Sequence, residues 1–387
     1  MKLRSEIHSQ TELTNIKNLR ALDWDLVTAP TEYYTHGYHT FSAKYIPQIP
    51  HRLISTFSKK NDLILDNFVG SGTTLVESKV LGRNAIGVDI NPLACLIAKV
   101  KTTVIEKPEI EEISRFLVSL GASLRGNTSP SRPPIIARSV IEELHPNIAK
   151  WYHQNVIYEL MAIKTEINAI GNTEVKDFLL VAFSSLLRSV SNTTSGFGNL
   201  MVNKNAPPKN RIFERFSRAV KYMLQNAADF STAATNSEVT IFNRDSRKVE
   251  FIDDETVDFI CTHPPYMAAV PFAEYQKLSL WWLGYSQYDL EKSLIGGRRS
   301  RPDMPQRFFR DMEMSLSEMK RVLRKKKYCC ITIGNPTYGG KMWNLNEIIK
   351  QNAIRIGFTY LHEISRGKYH SAMGKMKEEF ILIFRNK

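Results

Sequence analysis

Four stretches of the chain carry unbroken apolar runs rich in Ile and Val, each closed by a turn-forming residue: 62–68 (DLILDNF), 84–90 (NAIGVDI), 256–262 (TVDFICT) and 328–334 (YCCITIG). Runs of this kind suit strands buried on both faces of a parallel sheet. Helical spacing separates them. Residues 74–82 follow the first run and stop at Gly82, as a C-cap would. Residues 92–102 open on Pro92 at a plausible first helical position, and 311–327 are amphipathic. The alternation predicts an α/β fold. Near the end, 359–365 and 378–386 read as two strands forming an antiparallel pair. Between about 105 and 235 the pattern changes. Ile110, Ile113, Phe116, Leu117 and Leu120 recur at helical intervals, and 155–170 and 175–190 continue in that way. This middle region is expected to be a mainly helical insertion, followed by a polar loop over 191–211 rich in Gly, Asn and Lys. A loop of that length is commonly functional or disordered.

Composition narrows the partners. A net charge of +13 favours a polyanion, nucleic acid being the commonest; a merely basic protein is the plain alternative. The four cysteines form no C-x-x-C pair, which suits structural thiols in a reducing compartment. The first residues lack the apolar stretch of a secretion signal, and no apolar run reaches the ~18 residues of a membrane span. A cytoplasmic protein with no membrane contact is expected. The nine histidines show no zinc-ligand spacing, so no metal site is expected.

Two segments carry candidate chemistry. In 65–91 a strand runs into Asp66, Phe68, Gly70, Ser71, Gly72, Thr73 and Thr74, and a helix follows. Two glycines there allow a tight turn and close approach to a ligand. Asp89 ends the next strand roughly 20 residues after Gly70, the place of a carboxylate that accepts hydrogen bonds from a ribose. The turn is not G-x-G-x-x-G and holds no lysine of a phosphate loop, so a nucleoside cofactor without a pyrophosphate fits better than a dinucleotide. Structural punctuation is the plain alternative. The second segment is His263-Pro264-Pro265-Tyr266, after the 256–262 strand. Two prolines have fixed φ and no N–H, so they end the ladder in a rigid hook.

Together these residues resemble the S-adenosylmethionine-dependent DNA amino-methyltransferases. The family's D-x-F-x-G-S-G-T-T motif is matched by Asp66, Phe68, Gly70, Ser71, Gly72, Thr73 and Thr74. Its [Asp/Asn/Ser]-Pro-Pro-[Tyr/Phe/Trp] motif is matched by Pro264, Pro265 and Tyr266. The segment 39–54 is similar to the one that helps hold the methionine moiety, which points to Phe41 and Lys44. The segment 242–249 is similar to the short strand and acidic residue near the adenine, which points to Asp245. The resemblance covers roughly 36–104 and 238–387 and implies a class I Rossmann-like methyltransferase sheet. The chain then divides into 1–104, a helical insertion over 105–236 as candidate target-recognition region, and 237–387. It also implies S-adenosylmethionine as cofactor, double-stranded DNA as substrate, and a cognate restriction endonuclease as a candidate partner.

The resemblance gives the hook its role. An exocyclic amino nitrogen is a poor nucleophile, and acceptors for its hydrogens pull it toward a tetrahedral lone pair. His263 and the Pro264 carbonyl are the candidates here, with Tyr266 as a stacking surface for a base rotated out of the duplex. His263 departs from the family's Asp, Asn or Ser. A neutral imidazole has one acceptor nitrogen, so three readings stay open: a working acceptor, a ring turned away, or a disabled site. Thr262 makes the string most like the Thr-Ser-Pro-Pro-Tyr form, which leans to cytosine N4 over adenine N6. An RNA guanine-N2 methyltransferase and a catalytically weakened nucleic-acid-binding homologue are the alternatives. For DNA contact, the expected loop over 296–310 offers Arg298, Arg299, Arg301, Arg307 and Arg310, and the 192–211 loop offers Lys204. Tyr275 and Lys277 are expected on a DNA-facing rim, Trp281 and Trp282 in the core, and Lys325–Lys327 in a solvated turn.

Overall fold

The computed structural model describes residues 14, 16–42, 44, 46–126, 145–194, 200–267, 271–297, 300–367 and 378–387. The four expected strands form as β1 (Leu63–Asp66), β2 (Asn84–Asp89), β4 (Val257–Thr262) and β5 (Leu323–Gly334), with β3 (Val239–Asn243) beside β2. The last two strands are β8 (Phe358–Arg366) and β9 (Glu379–Asn386). All seven lie in one sheet of order β3-β2-β1-β4-β5-β9-β8. Strands β1 to β5 pair in parallel. Strand β9 slots between β5 and β8 and runs antiparallel to both. This is the mostly parallel Rossmann-like sheet with an antiparallel C-terminal pair. A two-stranded ribbon, β6 (Thr337–Tyr338) and β7 (Lys341–Met342), stands apart from it.

Alternation along the strands sorts side chains onto two faces. Ile64, Phe259, Cys261, Cys330, Ile381 and Ile383 join one apolar cluster with Ile49, Leu53 and Phe57 of α1 (Gln48–Phe57). Leu65, Ile260, Cys329, Ile331, Leu382 and Phe384 join another. That second face is covered by Met312, Leu316 and Met319 of α12 (Met304–Val322) and by Ile349 of α13 (Leu345–Ile356). Both faces being covered explains why the strands read as continuous apolar runs rather than as alternating ones.

Further helices among the described residues are α2 (Thr73–Val80), α3 (Pro92–Thr102), α4 (Lys107–Gly126), α5 (Ile148–Trp151), α6 (Gln154–Asn168), α7 (Thr173–Leu187), α8 (Ile212–Ala233), α9 (Phe272–Tyr275), α10 (Lys277–Trp282) and α11 (Gln287–Ser293). The middle region is helical as expected. Its core is continuous with the rest of the chain: Phe178, Phe183, Phe216 and Leu160 share one cluster with Leu93 and Ile97 of α3 and with Leu278 and Trp282 of α10. None of the described helices is long and apolar enough to cross a membrane.

Three local expectations change. Helix α12 begins at Met304, so Arg307 and Arg310 stand on a helix rather than in a loop; Met304, Phe308 and Met312 bury its apolar side and hold it there. Arg298 and Arg299 lie outside the described residues. Lys277 is buried: its ammonium sits 4.1 Å from the centre of the Trp151 ring and pairs with Glu274, so it does not reach a rim. Lys325, Lys326 and Lys327 fall within β5, where the register with β4 breaks between Val257 and Phe259 and Lys326 takes a left-handed φ of 63°. The lysines thus occupy a bulge, and Lys325 and Lys326 are exposed. Trp281 and Trp282 are in the core, as expected.

Candidate active site

The sheet order reverses between β1 and β4, so the carboxyl ends of these two strands border a crevice at the switch point. Asp66, at the end of β1, ties the two ends together. Its Oδ1 accepts from Thr262 Oγ1 of β4 at 2.7 Å and from the Phe68 amide at 3.1 Å, and its Oδ2 accepts from Thr74 Oγ1 at 2.6 Å. Burial raises its pKa to about 6, against the pull of those three hydrogen bonds. Asp66 and Thr74 therefore brace the wall from behind, and neither lines the cleft in front of it.

The turn after β1 needs its glycines. Gly70 has φ +48° and Gly72 φ +84°, both left-handed. A Cβ on Gly72 would lie 2.9 Å from Ala98 Cα, so the turn presses directly on the α3 backbone. The Gly70 amide donates to Asp89 Oδ2 at 2.9 Å, and the Asn91 amide to Asp89 Oδ1 at 2.9 Å. Burial lifts Asp89 to about 6, with these backbone bonds opposing it. One carboxylate at the end of β2 thereby sets the glycine turn and the start of α3.

In front lies an open cleft of about 950 Å³, mouth included. It brings together most of the residues expected from sequence: Phe41 and Lys44; Phe68, Gly70, Ser71 and Thr73; Asp89 and Asp245; and His263, Pro264, Pro265 and Tyr266. Gly72 stands behind it with Asp66 and Thr74. The segment bearing Phe41 and Lys44 is strapped to α2 by a buried group that the sequence does not announce. Glu77, fully buried, accepts from Tyr33 at 2.9 Å, from His36 at 2.8 Å and from His51 at 2.7 Å. Lys44 Nζ donates to the His36 carbonyl at 2.9 Å. On the far side, Asp245 accepts from the Arg247 amide and from its guanidinium Nε and Nη2, and that guanidinium also reaches Asp311 at 2.9 Å.

The cleft walls carry buried polar atoms without a partner among the described residues: Ser42 Oγ, both side-chain polar atoms of Asn67, and Ser71 Oγ. Buried polar groups are rarely left unmatched, so such a set marks where a polar ligand belongs. Donors and acceptors at Ser42, Asn67 and Ser71, a carboxylate at Asp89 and an aromatic ring at Phe41 fit an amino-acid-bearing nucleoside such as S-adenosylmethionine. Asn67 and Ser42 were missed because an isolated Asn or Ser has no spacing signature.

The hook closes the cleft. Tyr266 is 8% exposed, and its hydroxyl donates to Glu379 Oε1 at 2.5 Å while lying 2.6 Å from His263 Nε2. Glu379 is ion-paired with Arg366, which is itself buried and donates to the Trp24 carbonyl at 2.7 Å. Burial lowers the His263 pKa; Glu379 works against that and Arg366 with it. The ring is therefore neutral at physiological pH. A second cavity of about 590 Å³ shares Pro265, Tyr266 and Phe272 with the cleft and extends to Glu274, Met304 and Phe308.

The basic candidates lie elsewhere. Lys204 is exposed in the segment after residue 200, and Arg301 is exposed and paired with Asp303 at 3.0 Å. Arg307 is half-buried, its Nε without a partner among the described residues. None of the three lines the cleft.

Comparison with known proteins agrees with the geometry. The model of a family described as DNA methylase matches residues 5–100. The chain is 32% identical over 299 residues to the Type II methyltransferase M.MvaI of Kocuria varians, covering 69% of this chain and 63% of that protein. It is 38% identical over 104 residues to M.MjaII of Methanocaldococcus jannaschii, covering 26% of this chain and 19% of that one. Over 40 residues it is 58% identical to M1.MboII of Moraxella bovis, covering 10% and 15%. The chain thus spans less than two thirds of the length of each of these relatives. A glycine turn, a strand-end Asp89 and a Pro-Pro-Tyr hook thus meet in one cleft of a Rossmann-like sheet, in a chain similar over part of its length to the DNA methylase family and to Type II methyltransferases.

Proposed function

We propose that this chain is a site-specific DNA methyltransferase acting with S-adenosylmethionine on an exocyclic amino nitrogen of a base rotated out of the duplex, cytosine N4 favoured over adenine N6. Its place is the modification half of a restriction–modification pair, and its relatives are named as Type II methyltransferases. The observation that carries the reading is the meeting of Asp89, Asn67 and Ser71 with the His263–Tyr266 hook on one cleft.

When bound, S-adenosylmethionine supplies a methyl group activated by a sulfonium. Ser42, Asn67 and Ser71 would hold its amino-acid end and Asp89 its ribose hydroxyls. The hook positions the nucleophile. Pro264 and Pro265 donate no backbone hydrogen bond, so the Pro264 carbonyl is left as an acceptor on a stiff frame. That carbonyl and the His263 ring take hydrogens of the target amino group and draw its lone pair out of conjugation with the base. That lone pair would then receive the methyl that S-adenosylmethionine supplies, and His263 would take the proton released from the nitrogen and pass it to solvent. Placement of this kind supplies much of the rate of a direct displacement. The apolar second cavity beyond Tyr266 and Phe272 offers room for the flipped base. Lys204, Arg301 and Arg307, with Arg298 and Arg299, are the proposed phosphate contacts.

The test is to sequence genomic DNA from cells expressing the protein by a method that separates N4-methylcytosine from N6-methyladenine. Modification at one short sequence gives the reaction, the base and the target together. Unmodified DNA, with purified protein still binding S-adenosylmethionine, overturns the DNA reading.

A further inference from the structure

The cleft and the second cavity share a wall. Besides Pro265, Tyr266 and Phe272, both are lined by Leu294 and Ile295. These two belong to a short turn, 293–297, at the end of α11. The Gly297 amide donates to the Leu294 carbonyl at 2.8 Å, and Gly296 and Gly297 take left-handed φ values of +77° and +65°. A Cβ on Gly296 would lie 3.2 Å from Phe308 Cβ and 3.4 Å from Met304 Sδ, and both of those side chains line the second cavity. The turn is therefore pressed against α12.

Two charged groups clip it at either end. Arg247 Nη2 donates to the Ser293 carbonyl at 3.0 Å, and Asp311 Oδ2 accepts from the Gly296 amide at 3.0 Å. The clips are joined, because Arg247 Nη1 lies 2.9 Å from the same Asp311 oxygen. Asp311 is 1% exposed, and a carboxylate so buried needs donors of this kind around it. The Arg247 guanidinium also forks onto Asp245 through Nε and Nη2. Asp245 lines the cleft, with its side chain 33% exposed. One rigid, planar group thus touches the cleft wall, the turn and α12 together.

We propose that Arg247 and Asp311 are positioning residues that tie the 293–297 turn to the Asp245 side of the cleft, so that a nucleoside bound against Asp245 fixes the wall of the cavity meant for the base. The inference rests on the function proposed above for the meaning of the two cavities, but the latch itself needs only a nucleoside in the cleft. A ligand covering Asp245 removes solvent from a partly exposed ion pair, and such a pair strengthens as the local dielectric falls. The same ligand packs on Leu294 and Ile295. Both effects hold the turn in the form that shapes the second cavity. Neither Arg247 nor Asp311 lines either cavity, so both act through the turn rather than on the base or the cofactor.

The experiment is hydrogen–deuterium exchange on the full chain as wild type, Arg247→Lys and Asp311→Asn, each alone and saturated with S-adenosylhomocysteine. The Gly296 and Gly297 amides report on the turn, and the amides of β5 and β9 are the internal reference. In wild type the ligand is expected to slow exchange at the two glycines about 10-fold. Arg247→Lys keeps the charge and loses the fork, so the same ligand, its binding verified by calorimetry, should slow them less than about 2-fold. A merely structural role would instead speed exchange across β5 and β9 and leave the ligand's effect on the turn intact. Arg247 is partly exposed, so its variant carries the test even if Asp311→Asn fails to fold. In parallel, methyl transfer from labelled S-adenosylmethionine to unmethylated duplex DNA of mixed sequence is followed. Arg247→Lys should raise the KM for DNA about 10-fold and that for S-adenosylmethionine less than about 3-fold. No ligand-dependent slowing in wild type, equal slowing in Arg247→Lys, or an unchanged KM for DNA overturns the proposal. Slowing that Arg247→Lys abolishes, in a wild type that methylates no DNA, upholds the latch and refutes the DNA reading instead.

Discussion

Asp89 carries two jobs with one carboxylate. It accepts the amides of Gly70 and Asn91, which shapes the turn, and it lines the cleft where ribose hydroxyls would lie. Hydrogen bonds to a charged acceptor contribute about 1.5–3 kcal/mol each, so Asp89→Ala should weaken S-adenosylmethionine binding about 10- to 100-fold by calorimetry; an unchanged affinity removes Asp89 from the ribose role. Its pH behaviour has a definite sign. The folded pKa is raised from 3.8 to about 6 by burial, and Asp66 is raised likewise. The stability these groups contribute is full below about 3.8 and is lost as pH rises through about 6. Cofactor binding should run the other way, weakening as pH falls through about 6 because the protonated acid is the poorer acceptor. Titrating affinity between pH 5 and 8, with Asp89→Asn as the flat control, checks this.

At the scale of elements, the β1-turn-α2 unit owes its shape to contact with α3. Gly72 combines a left-handed φ of +84° with a Cβ position 2.9 Å from the Ala98 backbone. Gly72→Ala should therefore cost about 2–4 kcal/mol in urea denaturation, since neither strain nor backbone overlap can be relieved by a rotamer change. A cost under about 0.5 kcal/mol would show that α3 gives way. This unit was legible in the sequence because local rules govern it: a β-run, glycines where φ must be positive, and an acid at the end of the next strand. Helix α12 was legible only in part. Its first turn, Met304 to Arg307, holds Pro305 and two polar residues, and burial of Met304 and Phe308 against the hook, rather than periodicity, makes it helical. Lys277 was misread for the same reason: a cation flanked by apolar residues looks like a rim residue until Trp151, far away in sequence, is placed beneath it.

For the whole molecule, the helical region shares one apolar cluster with α3 and α10, while the strands lie in two others. Trp282, fully buried, meets Tyr152 and Phe183 edge-on with centroids 5.8 Å away in each case. Trp282→Ala should cost about 3–5 kcal/mol. Far-UV and near-UV circular dichroism should still report one transition, and two separated transitions would mean that the helices unfold by themselves. The net charge of +13 acts at this scale too. If Lys204 and Arg301 touch phosphates, each alanine variant should weaken DNA binding across sequences and reduce the slope of log K against log salt by about 1. An unchanged slope excludes that residue from the contact.

The amino-acid order alone determined the α/β alternation, the glycine turn, Asp89 and the Pro-Pro-Tyr hook, because each depends on neighbours within a few residues or on a short fixed spacing. Tertiary structure alone decided which of these face the cleft. Asp66 and Thr74 belong to the same motif as Ser71, yet they turn inward to Thr262 of a strand almost two hundred residues away. It also decided the surroundings of His263. A single histidine in a string of prolines carries no mark of its neighbours; Tyr266, Glu379 and Arg366 meet beside it only when β9 enters the sheet between β5 and β8. Pairing between distant strands leaves no periodic trace in the chain.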